Sequence, residues 1–247
     1  KPVVFHSTSG KEIISDQGFN YYLDNKQEFL DAPNEWYYAP EEEKLYVYSD
    51  NDLTKETFEG TLKKNGIILE KGVSNIVIEN LSISGFTEDG IAGLGDNHDV
   101  TIRDNNIARI GKYGVYFDKY GSELSILNNN LHDITGNGIR TMNAKNSLFE
   151  GNTVKRVGTV AGYGIDGLNG STGICVVSYE VNSTDSTKLT HNCTIRNNHV
   201  EEIGYNGIRF EGYNTLVEGN VVKNCLLTMF DGGLIYTWSH KSKSTFN

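Results

Sequence analysis

The 247-residue chain carries 22 Lys and Arg against 32 Asp and Glu, a net charge of −10. That balance argues against a nucleic-acid backbone as partner, and no apolar run approaches the ~20 residues needed to cross a bilayer. The three cysteines, Cys175, Cys193 and Cys225, make no complete disulfide set, and two of them fall at apolar repeat positions, so buried thiols are expected.

In chain order, "KPVVFHSTSGKEIISD" reads as a first coil of a repeating structure over residues 1–17. The chain opens directly in strand-like sequence, so any leader is expected upstream or already removed. Residues 18–60 interrupt the repeat. There "EWYYAPEEEKLYVYSD" alternates apolar and polar residues on both sides of Ala39-Pro40-Glu41-Glu42, a hairpin signal. Its aromatics Trp36, Tyr37 and Tyr38 serve either as the hairpin's small core or as a sugar-stacking platform. "GTLKKNGIILEKG" returns the chain to the repeat. All three prolines, Pro2, Pro33 and Pro40, precede residue 41. Proline cannot donate to a sheet ladder, so its absence from the rest suits a long, continuously paired sheet.

From residue 61 onward the sequence repeats. "IVIENLSISGF", "VTIRDNNIARI", "LSILNNNLHDI", "SLFEGNTVKRV", "CTIRNNHVEEI" and "TLVEGNVVKNC" align without gaps. They share an apolar column at Ile78, Ile102, Ile126, Phe149, Ile195 and Val217, and an amide column at Asn105, Asn129, Asn152, Asn198 and Asn220, headed by Leu81. Stacked side-chain amides hydrogen-bond along a fibre-like axis. Each segment leads to a glycine and a short alternating strand, at Gly90, Gly114, Gly138, Gly207 and Gly233. Alternation with period two indicates strands and not helices. The long step from Asn152 to Asn198 reads as one coil carrying an insertion near 158–190. This predicts an all-β, parallel β-helix of about six to seven coils over 61–247, forming one domain with the hairpin insertion.

The pattern resembles the right-handed parallel β-helix superfamily typified by pectate lyases and related carbohydrate-active proteins. The inserted aromatic hairpin is similar to N-terminal parts of secreted β-helix glycosidases. "DGGLIYTW" at Asp231 resembles a strand of bacterial β-helix glycosidases and lyases. The resemblance implies a secreted or periplasmic protein acting on an oligo- or polysaccharide. The chain's abrupt ends lead us to expect a fragment, with flanking coils or a domain outside it.

Side-chain alternation in the short strands places two columns outward. The first reads Ala92, Tyr116, Arg140, Asp166, Arg209 and Ile235; the second reads Leu94, Asp118, Met142, Leu168, Glu211 and Thr237. Asp166 enters only if "YGIDG" is the strand of the long coil; "TGICVV" is the alternative and replaces it with Cys175. An inter-coil ion-pair ladder is the plain account of this charge. The functional account is glycoside hydrolysis, which needs two carboxyl groups at a set separation. Asp231, Glu211 and Asp166 are the candidate acids, on neighbouring coils ~5 Å apart. Arg140, Arg209, Asp118, Tyr116, Lys119, His240 and Trp238 are candidate substrate contacts, although Tyr236 and Trp238 share the inward parity of Leu234. A polysaccharide lyase acting on a uronate is the alternative. It needs a base and a group that neutralises the carboxylate, for which Arg140 or Arg209 is suited. A calcium-assisted version uses Asp118, Asp166 and Glu211 as ligands; otherwise no cofactor is expected, and the histidines have no zinc-ligand spacing. "GDNHDVTIRD" reads as a polar turn. A non-catalytic glycan-binding β-helix is the third possibility.

Overall fold

The structure is a computed structural model that describes residues 3–6, 12–15, 26–160, 170–178, 185, 188–238 and 243–246. It divides into two compact units, 1–59 and 60–247, where the sequence reading has a single domain.

In the first unit, strands Val3–His6 and Glu12–Ser15 pair antiparallel with each other. They form a hairpin, so residues 1–17 are not a coil of the repeat. The aromatic segment forms the expected hairpin, Trp36–Ala39 against Lys44–Val47. Tyr37 stacks on Tyr46 across one face, with ring centroids 6.4 Å apart. Trp36 and Tyr38 stand exposed.

The second unit is a parallel solenoid of three sheets, one of six strands and two of seven. Successive strands visit the three sheets in turn, so each circuit is one coil. The apolar columns read from the sequence line its interior: Ile102, Ile126, Phe149 and Ile195 are fully buried and belong to one continuous core. Inter-coil registers place Ile78 beside Ile102 and Ile126 beside Phe149, as the ungapped alignment requires.

The asparagine column is a hydrogen-bonded ladder. Asn105 Nδ2 donates to Asn129 Oδ1 at 2.9 Å, Asn129 Nδ2 to Asn152 Oδ1 at 3.1 Å, and Asn152 Nδ2 to Asn198 Oδ1 at 3.0 Å. Each amide also bonds main chain of a neighbouring coil, as Asn129 Nδ2 does with the Ile102 carbonyl at 2.9 Å. The residue before each rung sits in the left-handed region: Asn80, Asp104, Asn128, Gly151, Asn197 and Gly219. Asn, Asp and Gly tolerate that region best, which explains the "EN", "RDN", "LNN" and "EGN" corners of the repeat.

Direct bonding of Asn152 to Asn198 makes residues 152–198 a single coil with excursions. Its strand in the glycine–isoleucine sheet is Ile174–Val177, with Cys175 in register between Arg140 and Arg209. The "TGICVV" alternative is therefore the strand. Cys175 holds the rung that the other alternative gave to Asp166, and Asp166 lies outside the described residues. The last coil is also shifted by one from the sequence alignment: Ile235 pairs with Ile208, and Tyr236 with Arg209. Leu234 replaces glycine on that rung, where its carbonyl lies 2.6 Å from the position of a Gly207 Cβ.

Candidate functional site

The outer face of the glycine–isoleucine sheet is built by strands Ile91–Gly93, Tyr113–Phe117, Asn137–Met142, Ile174–Val177, Ile208–Phe210 and Ile235–Tyr236. Their registers define the outward row as Ala92, Tyr116, Arg140, Cys175, Arg209 and Tyr236. The row has an accessible part and a covered part. Tyr116, Asp118, Lys119, Tyr120 and Met142 are partly open, whereas Arg140, Cys175, Arg209 and Glu211 are buried.

Tyr116 is the centre of the accessible part. It lies in register beside Arg140, and Asp118, two residues along on the same outward side, acts on its hydroxyl. Burial, and then the negative charges of Asp118 and Asp89, push its pKa far above the usual phenol value, against the opposing pull of Arg140. The hydroxyl thus keeps its proton at neutral pH. The Tyr113 ring packs behind it, with centroids 4.9 Å apart and planes tilted by 37°. Arg140 Cζ lies 5.6 Å from the Tyr113 centroid and Lys112 Nζ lies 4.9 Å from it, a distance range at which cations are held by an aromatic face. Arg140 Nη2 also lies 3.9 Å from Met142 Sδ.

The covered part is anchored by Glu211, 1% exposed. Its Oε1 accepts from Arg209 Nη2 at 2.7 Å and Nε at 3.2 Å, and its Oε2 accepts from the Ser178 amide at 3.2 Å. Burial raises its pKa, opposed by Arg209, the Ser178 N–H and Arg140. Thr190 N donates to Ser178 Oγ at 3.0 Å and Thr190 Oγ1 to the Val177 carbonyl at 2.7 Å, tying together the two feet of the excursion after this strand.

Residues 43–181 match the family model described as a right-handed β-helix region. The chain belongs to the right-handed β-helix family. Among solved structures, the A-modules of the mannuronan C-5 epimerases AlgE4 and AlgE6 of Azotobacter vinelandii match at 12% and 10% identity, with TM-scores of 0.49 and 0.42. The matches cover 76% and 75% of this chain and 56% and 54% of those modules. The Dettilon tailspike protein matches at 15% identity and a TM-score of 0.36, over 74% of this chain and 41% of its own. The chain therefore spans little more than half the length of the epimerase modules. No curated protein matches.

The β-helix brings some predicted residues together and separates others. Tyr116, Asp118 and Arg140 converge, with Lys119 on the adjoining turn. Asp231 does not join Glu211: with Ile235 paired to Ile208, Asp231 precedes that rung, on the side of Tyr205, whereas Glu211 follows it. Trp238 lies beyond the last strand of this sheet, Ile235–Tyr236, and is 59% exposed. His240 lies outside the described residues. Asp118 and Glu211 are three coils apart through Met142 and Val177, or ~14 Å, too far to share one calcium ion. The "GDNHDVTIRD" segment is a turn only over residues 95–97; His98–Arg103 is a strand, a correction to the turn expected. Buried Asn97 donates to the Glu70 and Val73 carbonyls at 2.8 and 3.1 Å. Beside it, His98, Asp99 and Glu123 gather exposed ligand atoms within 4.8 Å of one another. Cys175 and Cys193 are buried free thiols and Cys225 is half-buried; burial pushes Cys193 up to about 12 and Cys225 to about 11.

The sequence reading missed Asp89 and Tyr113. Both occupy the rung just before each strand glycine: Asn65, Asp89, Tyr113, Asn137, Thr172 and Asn206. Extending the repeat alignment by one residue reveals this column.

Proposed function

We propose that this chain is a carbohydrate-active β-helix protein that cleaves a uronate-containing glycan by elimination at the Tyr116–Asp118–Arg140 cluster. The observation that carries this reading is the register of Tyr116 beside Arg140, with Asp118 two residues along on the same outward side. We favour elimination over paired-acid hydrolysis because Glu211 is 1% exposed and its carboxylate is taken up by Arg209 and the Ser178 amide.

The cluster contains the groups an elimination needs. Arg140 is 7% exposed but borders the open part of the row through its register with Tyr116; its guanidinium matches a uronate carboxylate and stabilises the negative charge that builds on it. Asp118 removes the proton on the carbon next to that carboxylate. The electron pair forms the carbon–carbon double bond and expels the glycosidic oxygen. Tyr116 gives its hydroxyl proton to that oxygen and regains one from Asp118, so the protein ends unchanged. Lys119 and Tyr120 border the cluster and suit contacts to sugar hydroxyls. Such glycans occur outside the cytoplasm, which fits a secreted or periplasmic setting.

The test is a panel of defined uronate oligosaccharides, followed by absorbance of the unsaturated product. Arg140→Met and Tyr116→Phe should each lower the rate by about 100-fold or more, with folding retained. Wild-type activity in either variant would reject this assignment.

A further inference from the structure

We infer that Tyr113 is a positioning residue for this cluster; the inference rests on the proposed site. Its place in the repeat is anomalous. The other described rungs of its column are Asn65, Asp89, Asn137, Thr172 and Asn206, all polar and short. These rungs link neighbouring coils. The Asp89 amide donates to Asn65 Oδ1 at 3.0 Å, the Thr172 amide to Asn137 Oδ1 at 2.9 Å, and the Gly233 amide to Asn206 Oδ1 at 2.9 Å. Such a column calls for an amide. Residue 113 instead carries a large aromatic ring, and this is the rung beside Tyr116 and Arg140.

The ring's surroundings give it a task. Tyr113 is 3% exposed, so it does not meet a substrate. Its ring supports the Tyr116 ring at 4.9 Å and Arg140 Cζ at 5.6 Å, with Lys112 Nζ at 4.9 Å. One planar surface therefore fixes the phenol that carries the proton and the guanidinium that meets the carboxylate. Both side chains have free rotors in isolation. A rigid ring between them sets their spacing before a sugar arrives, and such pre-set geometry is worth orders of magnitude in rate. The column surrenders an amide at this rung and gains that support.

The column itself supplies the test. Tyr113→Asn removes the ring but offers Asn137 the acceptor that Asn65, Asn137 and Asn206 offer their own neighbours. A purely structural role predicts a folded, active protein. Positioning predicts a folded protein, with a melting temperature lowered by the cavity the ring leaves, and kcat lowered about 100-fold with KM changed far less. Tyr113→Phe keeps the ring and should retain activity within about fivefold, since the cation–ring attraction survives. If Tyr113→Asn is as active as the wild type while Arg140→Met is inactive, the inference fails and the site stands. If Tyr113→Phe loses as much as Tyr113→Asn, the ring is not the operative part and the inference fails. If the wild type eliminates no uronate glycan, the proposed function fails. The inference is then judged by thermal unfolding of Tyr113→Leu, Arg140→Met and the double variant. Coupled shifts support contact-mediated positioning, and additive shifts overturn it.

Discussion

Replacing Asn129 by alanine tests the physical basis of the solenoid most sharply. The side chain is buried in mid-ladder. Its Oδ1 accepts from Asn105 N at 3.1 Å and Asn105 Nδ2 at 2.9 Å; its Nδ2 donates to the Ile102 carbonyl at 2.9 Å and Asn152 Oδ1 at 3.1 Å. Alanine strands the Asn105 amide, at about 1–3 kcal/mol, and takes one bond from each of three other groups, at about 0.5–1.5 kcal/mol each. The sum is about 3–7 kcal/mol, a large part of the ~5–15 kcal/mol that holds an ordinary domain folded. Urea unfolding followed by circular dichroism measures it. Asn220→Ala is the control. It removes a half-buried rung, bonded to Asn198 at 2.9 Å and flanked by exposed Gly219 and Val221, so water can enter the vacated place and its cost should be about half or less. A loss below about 1 kcal/mol for Asn129→Ala, or equal losses at the two sites, would refute the ladder as a source of stability.

Two further predictions concern charge. The buried Arg209–Glu211 pair should be costly to break, with Glu211→Ala or Arg209→Ala losing about 3–5 kcal/mol. Replacing both with apolar residues of similar volume should recover most of that loss; chemical denaturation of the singles and the double decides, and additive losses contradict the pairing. Asp133 is held down to about 2 by bonds from Arg156 and by His132. A depressed carboxyl contributes stability above its ordinary value of 3.8 and loses it as pH falls through about 2. Asp133→Asn should therefore lower the melting temperature slightly at neutral pH, leave it unchanged below about pH 2, and so flatten the acid limb between those values; the effect is small because the pair is largely exposed.

Much of the fold was legible because β-helix coils repeat in register. Once Ile102, Ile126 and Phe149 align, so do the core, the asparagine ladder and the left-handed corners. Reading stopped where the repeat is broken. In the long coil, "YGIDG" and "TGICVV" offer the same glycine-plus-alternation signal, and only pairing of Cys175 with Arg140 and Arg209 chooses between them. In the last coil Leu234 stands where every earlier coil has glycine, so aligning on Gly233 moved Tyr236 to the wrong face. The residues 1–17 hairpin was misread because short alternating strands look alike whether they pair parallel or antiparallel. The site was half legible. Tyr116, Asp118 and Arg140 follow from alternation, but the burial of Glu211 depends on the tied feet at Ser178 and Thr190, which no local pattern encodes. Tyr113 was overlooked because it precedes the glycine at which the strand alignment began.

The most direct measurement is the product formed from a defined uronate oligosaccharide, read both as unsaturated-uronate absorbance and as new reducing ends. The account predicts that absorbance rises in step with reducing ends, and that Arg140→Met abolishes both. Reducing ends without absorbance would establish hydrolysis and contradict elimination at Tyr116, Asp118 and Arg140.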